Sequence, residues 1–244
     1  MMKLLEIDKL TKDFGGLRAV DRLDITIEDG MIFGLIGPNG AGKSTAFNCI
    51  AGLYTATSGR VLYKEDDITS LKPYDVCRRG IARTFQLVKP FPTKSVLKNV
   101  TVGSFLWSKN INEAEEKALE VLEFVNLIDK KDVLGKSLTV ADRKRLELAR
   151  ALATNPDLLL LDEVMAGLRP AEVEEVITII RKINERGITI FLIEHIMQAI
   201  MSLSDLIVVI HYGKKIAEGK PEEIASNEQV IKAYLGEEYV LAGN

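Results

Sequence analysis

Residues 31–53 constrain this chain more than any other stretch. An apolar run, Met31-Ile32-Phe33-Gly34-Leu35-Ile36, leads into Gly37-Pro38-Asn39-Gly40-Ala41-Gly42-Lys43-Ser44-Thr45 and then into helix-forming residues 46–53. The order is strand, glycine-rich loop, helix. The spacing G-x-x-x-x-G-K-S has a mechanical reason: glycines let successive backbone N–H groups turn inward around phosphate oxygens with no Cβ in the way. Lys43 then reaches the β- and γ-phosphates, Ser44 offers its hydroxyl to Mg²⁺, and the positive end of the following helix adds to the attraction for a triphosphate. A glycine-rich turn alone would mean little. The strand before it and the helix after it make nucleotide binding the expectation.

The rest of the chain must fold around that element. With 244 residues there is room for one large domain, or one domain carrying a sizeable insertion. A net charge of −3 gives no overall pull toward nucleic acid, so none is expected as a partner. Cys49 and Cys77 are the two cysteines, too few for a disulfide framework or a metal cluster, and they fit a reducing compartment. Residues 1–10 carry Lys3, Glu6, Asp8 and Lys9 among apolar neighbours, so a secretion signal is not expected there. Residues 188–210 are the most membrane-like stretch, yet Glu194, His195, Gln198, Ser202, Ser204 and Asp205 interrupt them. Buried strand, helix, buried strand is the better reading.

Along the chain, residues 4–14 and 18–28 alternate well enough for two antiparallel strands, with Val20, Leu23, Ile25 and Ile27 apolar in the second. Gly15-Gly16 and Asp29-Gly30 supply tight turns. A further strand is expected over 58–63 and a short helix over 73–79. Residues 113–126 and 143–152 show helical amphipathic patterns. Apolar runs at 157–162, 188–194 and 206–210 alternate with helices over 170–186 and 196–203, the rhythm of a parallel sheet covered on both faces. Residues 221–235 read as two short helices and 236–244 as a frayed tail. Trp107, Met197 and Met201 read as packing.

The run Leu158-Leu159-Leu160-Leu161-Asp162-Glu163 ends a buried strand in two carboxylates. Beside a phosphate loop, Asp162 is placed to hold Mg²⁺ through water, and Glu163 to accept a proton from an attacking water. A nucleotide kinase or a small GTPase stays open on the loop alone, although the Asn-Lys-x-Asp of guanine readers is missing.

These motifs together resemble an ATP-binding subunit of an ABC transporter, over nearly the whole length. Arg83-Thr84-Phe85-Gln86 is similar to that family's Q-loop, residues 138–152 (LTVADRKRLELARAL) to its signature helix, and Ala166-Gly167-Leu168-Arg169-Pro170 to its D-loop. Ile193-Glu194-His195 is similar to the switch-histidine segment, and Phe14 stands where the family stacks an aromatic on adenine. The wording at 83–86, 96–100 and 216–219 most resembles the ATPases of branched-chain amino-acid importers; lipopolysaccharide exporters and urea or amide importers share much of it.

The resemblance implies an α/β fold: a P-loop core with a mixed, mostly parallel sheet, an N-terminal antiparallel β part and a helical insertion. As one domain, it would comprise a core over 1–92 and 154–235, a helical part over 93–153 and the tail. ATP and Mg²⁺ would be the cofactors. Glu163, His195, Gln86 and Lys43 would be catalytic, with His195 on the γ-phosphate, Gln86 on Mg²⁺ or the attacking water, and Thr139 meeting the ATP of an opposite subunit. Transmembrane permease subunits and an external solute-binding protein would be partners, with this chain peripheral on the cytoplasmic face of the membrane. The alternatives are an exporter ATPase or a non-transport ABC module.

One segment departs from the family. Leu-Ser-Gly-Gly-Gln is replaced by Leu138-Thr139-Val140-Ala141-Asp142. Val140 and Ala141 add a Cβ where glycine lets backbone approach phosphate. Asp142 is expected to cap the helix and to face the triphosphate unfavourably. A second, different ATPase subunit is therefore expected rather than a homodimer. Residues 86–98, with Phe91 between prolines as an apolar anchor, are expected to line a groove for the membrane partner.

Overall fold

The structure is a computed structural model that describes residues 2–86 and 89–241. In chain order the elements are β1 (Lys3–Phe14), β2 (Leu17–Glu28), β3 (Ile32–Ile36), α1 (Lys43–Ile50), β4 (Ser58–Tyr63), β5 (Asp66–Asp67), α2 (Pro73–Arg78), β6 (Ile81–Arg83) and α3 (Val96–Ser104). There follow α4 (Ile111–Phe124), α5 (Val140–Leu152), β7 (Leu158–Asp162), α6 (Pro170–Glu185), β8 (Thr189–Ile193), α7 (Met197–Leu203), β9 (Leu206–His211), β10 (Lys214–Gly219), α8 (Pro221–Ala225) and α9 (Glu228–Leu241). They form two compact units, Met1–Val76 with Thr189–Asn244, and Cys77–Ile188.

The first unit holds the expected antiparallel part, in the order β2-β1-β4-β5. Its strands bury one face: Leu5, Ile7, Leu10, Leu23, Ile25 and Ile27 are all buried. The phosphate-loop strand β3 runs parallel to β8 on one side and β9 on the other, and β9 turns back antiparallel into β10. Every residue of β3 and β8 is buried. Continuous apolar runs form strands here because elements cover both faces. Residues 188–210 are thus β8, α7 and β9, and among the described residues no helix is long and apolar enough to cross a membrane.

In the second unit β6 pairs parallel with β7, while α3 packs on α4 and α5. The helical stretch expected over 93–153 lies within this unit, whose limits are wider.

Several local expectations change. Helix α1 starts at Lys43 rather than residue 46, because the end of the loop is already helical. Helix α3 lies inside the helical part expected over 93–153 but was not delimited there: Ser95 accepts from the Lys98 N–H, and the polar Asn99 is fully buried, bonding Phe91, Lys94 and Ser95 backbone. A buried amide breaks the apolar pattern on which periodicity relies. Strands β6 and β10 were also unforeseen, β6 being only 3 residues long. Helix α9 continues through Gly236 to Leu241, so 236–241 is helix rather than tail, a single helical glycine costing only about 1 kcal/mol. Residues 242–244 lie outside the described residues. Trp107 is half exposed with its indole N–H donating to the Thr154 carbonyl at 2.5 Å, and Met197 is exposed, so neither is core packing.

Candidate functional site

In the first unit the loop after β3 is shaped by sterics. At Gly37 (φ +154°) a Cβ would lie 2.1 Å from the Ile210 carbonyl oxygen, and at Gly42 (φ +105°) 2.3 Å from that of Ala19. No other residue fits either place. The hairpin between β9 and β10 holds the loop from outside: the Gly213 N–H donates to the Ala41 carbonyl at 2.9 Å. Lys43 is buried, its ammonium donating to the carbonyls of Gly37 at 2.6 Å and Pro38 at 2.9 Å. Asn39, Gly40 and Ser44 are exposed, Thr45 is half-buried, and Pro38 and Ala41 are buried. The loop therefore leaves Asn39, Gly40 and Ser44 open to solvent around the N-terminus of α1.

Phe14 ends β1 and is 42% exposed, edge-on to Tyr54 with ring centroids 5.3 Å apart. The Lys12 ammonium sits 4.9 Å from the Phe14 ring centroid. An aromatic face open to solvent suits stacking on a base. Tyr54 lies 40 residues from Phe14, and no local pattern joins positions so far apart. His195 is exposed just beyond the C-terminal end of β8, and its neighbour Glu194 is buried.

In the second unit the carboxylates at the end of β7 are held by side chains. Asp162 is buried and its Oδ2 accepts from Arg83 Nη2 at 2.8 Å. Its Oδ1 is buried with no hydrogen-bond partner. Burial pushes the Asp162 carboxyl up, outweighing the downward pull of the Arg83 charge and hydrogen bond. Glu163 stands at φ +51°, a conformation uncommon for a side chain of this size, and its Oε2 accepts from Gln86 Nε2 at 2.5 Å. The structure thus brings Gln86, Arg83, Asp162 and Glu163 together, from sequence positions about 80 apart. The residues around Arg83 carry no local signal for its ion pair, because its partner Asp162 lies 79 residues away.

The signature segment differs from its expectation. The N-cap of α5 is Thr139, whose Oγ1 accepts from the Asp142 N–H at 3.2 Å and donates to Asp142 Oδ2 at 2.7 Å. Asp142 lies three residues inside the helix, buried, with Oδ2 2.5 Å from Lys130 Nζ. Burial alone would raise its carboxyl, but the hydrogen bonds from Lys130 and Thr139 and the Lys130 charge bring it below the ordinary range. Its charge is compensated within its own unit instead of facing outward. Val140 is exposed, 57%.

The family model described as ABC transporter matches residues 20–166. The chain belongs to the ABC-transporter ATPase family. A second model, described as branched-chain amino acid ATP-binding cassette transporter, matches residues 214–240, from the start of β10 into α9. The ABC ATPase is 40% identical to the high-affinity branched-chain amino acid transport ATP-binding protein BraF of Pseudomonas aeruginosa, across 96% of this chain and 98% of that one. It is 38% identical to LivG of Escherichia coli over the same shares. A solved ATP-binding cassette of an ABC transporter in its ADP conformation superposes with a TM-score of 0.88 at 32% identity, covering 97% of this chain and 100% of that one. This ABC ATPase therefore binds and hydrolyses ATP, and the expected α/β cassette fold is the one it has.

Proposed function

We propose that the chain is the ATP-hydrolysing subunit of an importer of branched-chain amino acids, peripheral on the cytoplasmic face of the membrane. It would act with transmembrane permease subunits and an external solute-binding protein. The likeness to BraF along almost the whole of both chains carries this reading, and the branched-chain model over β10 and α9 supports it.

In this reading Lys43 and the N–H groups of Gly37, Asn39, Gly40, Ala41 and Gly42 bind the phosphates, Pro38 and Thr45 complete the loop, and Phe14 stacks on adenine. Glu163 accepts the proton of the attacking water on its carboxylate, while Gln86 keeps that carboxylate turned and His195 meets the γ-phosphate. A bound Mg²⁺ would supply Lewis-acid stabilisation of negative charge on the phosphates. Within the second unit the unpartnered Asp162 Oδ1 fits a hard cation that prefers oxygen ligands, through water. Ser44 and Gln86 are the other candidate ligands of this reading.

Pairing with a second, different ATPase subunit belongs to the same proposal. It no longer rests on Asp142, whose charge Lys130 compensates, but on Val140 and Ala141, which stand where the family's glycines let the backbone approach phosphate. Thr139 would then meet the partner's ATP in trans.

The test reconstitutes the transporter and compares Glu163→Gln here with the matching change in the partner ATPase. The Gln variant keeps shape but not the proton acceptor, so ATP binding should persist while turnover and leucine uptake fall roughly 10²-fold or more. Losing most activity only through the partner's variant, finding a fully active homodimer, or seeing no branched-chain uptake would overturn the respective part.

A further inference from the structure

The second unit contains a buried lysine that the roles above leave unused. Lys144 lies on α5, the signature helix, and is only 8% exposed. Its ammonium donates to the backbone carbonyl of Glu163 at 2.8 Å and reaches that of Gln86 at 3.4 Å. These are the two residues whose side chains meet at 2.5 Å. One turn further along α5, Glu147 is also buried, and its carboxylate accepts from the Phe85 backbone N–H and pairs with Arg150 at 3.0 Å. Residues three apart share a helix face, so α5 grips the segment 85–86 through an acceptor and a donor, and Glu163 through the same donor.

We propose that Lys144 is a positioning residue for hydrolysis: its ammonium, tied to the carbonyls of Glu163 and Gln86, sets the backbone from which the Gln86–Glu163 pair is aimed. The proposal rests on Glu163 being the base. Three observations support it. A lysine is rarely buried without strong partners, and here those partners include two backbone carbonyls of the pair. Glu163 occupies a positive φ that persists only where its surroundings hold it, and the Lys144 bond falls on that residue's own carbonyl. The bond also runs from the signature helix, so a displacement of α5 is transmitted to the Glu163 backbone by a single charged contact. A shift of about 1 Å at a catalytic group can cost on the order of 10²-fold in rate.

The assay uses the assembled transporter with Lys144→Met, Lys144→Gln, Glu163→Gln and Lys144→Met combined with Glu163→Gln. Lys144→Met should lower kcat about 10- to 100-fold while KM for ATP and ATP affinity stay within about twofold, because the proposed role of Lys144 is to aim the Gln86–Glu163 pair rather than to hold the nucleotide. Lys144→Gln, which keeps an N–H donor, should recover part of the rate. In the double variant the residual rate should match Glu163→Gln alone, since there is no base left to aim. Parental kcat in Lys144→Met, a matching rise in KM, or full additivity with Glu163→Gln overturns the role. If Lys144→Met does not fold, Lys144→Gln decides by the same criteria, parental kcat counting against the proposal. Parental turnover in Glu163→Gln would refute the base assignment and this proposal together; a dead Glu163→Gln beside an unaffected Lys144→Met removes only the latter.

Discussion

The phosphate loop of the first unit and the carboxylate pair of the second solve the same problem, presenting groups to a charged substrate, by opposite means. The loop is one run of chain, and its shape comes from backbone: glycines at positive φ, two of which, Gly37 and Gly42, are packed against a carbonyl oxygen. The pair at the end of β7 is one strand terminus whose geometry is imposed by side chains 79, 77 and 19 residues away: Arg83 on Asp162, Gln86 on the Glu163 carboxylate and Lys144 on the Glu163 carbonyl. A backbone-built site is rigid once its neighbours are packed. One built from side chains can be reset when those side chains move, which suits the part of an ATPase that must be switched.

That contrast can be broken first at the loop. In Gly37→Ala a Cβ would sit 2.1 Å from the Ile210 carbonyl, so we expect a loss of about 3 kcal/mol or more and abolished ATP binding, read by denaturant melts and nucleotide titration. A stable variant with parental ATP affinity would show that the loop is not sterically determined.

At the carboxylates the expected signature is electrostatic. Arg83→Met leaves the buried Asp162 uncompensated, which should cost about 3 kcal/mol at pH 7. Asp162 already has a raised carboxyl and the substitution raises it further. A group raised in the folded state contributes its stability fully below its unfolded value and loses it as pH climbs through the folded one. The gap between parent and variant should therefore be widest at neutral pH and narrow as pH falls through the raised folded-state range of Asp162, closing before the ordinary carboxylate range is reached. Melts across pH 4–8 giving a constant gap would mean that Arg83 acts by packing.

The smallest effect is expected at the signature helix. Lys130→Met removes the cation beside Asp142, but Lys130 is half exposed, so about 0.5–1 kcal/mol is expected at pH 7. Asp142 is lowered in the folded state, so this stability is present above its unfolded value near 3.9 and disappears as pH falls toward the folded one. A larger cost together with faster turnover would sharpen the comparison by tying Asp142 to the nucleotide after all.

Much of the site was legible because the relevant physics is local. The G-x-x-x-x-G-K-S spacing, the apolar runs and the Asp162-Glu163 strand end each follow from neighbouring residues, and the motif resemblance supplied their order. What escaped was of two kinds. Elements such as α3 and β6 are short or carry a buried polar residue, so they present no clean period. Charges were misjudged because a carboxylate's behaviour depends on what faces it: Asp142 looked like an exposed anion at a helix start until Lys130, 12 residues earlier, proved to lie against it.

By itself, then, the sequence determined the strand–loop–helix, the order of the long, strongly patterned elements and the chemical identity of the groups offered to ATP. Backbone dihedral limits and hydrophobic periodicity act over a few residues and leave their record in the local wording. Tertiary structure alone decided which charges are paired, that Thr139 rather than Asp142 caps α5, and that a lysine of the signature helix holds the backbone of Glu163. Those outcomes depend on burial and on contacts between distant residues, where desolvation and Coulomb terms of similar size and opposite sign are settled by positions within an ångström or so.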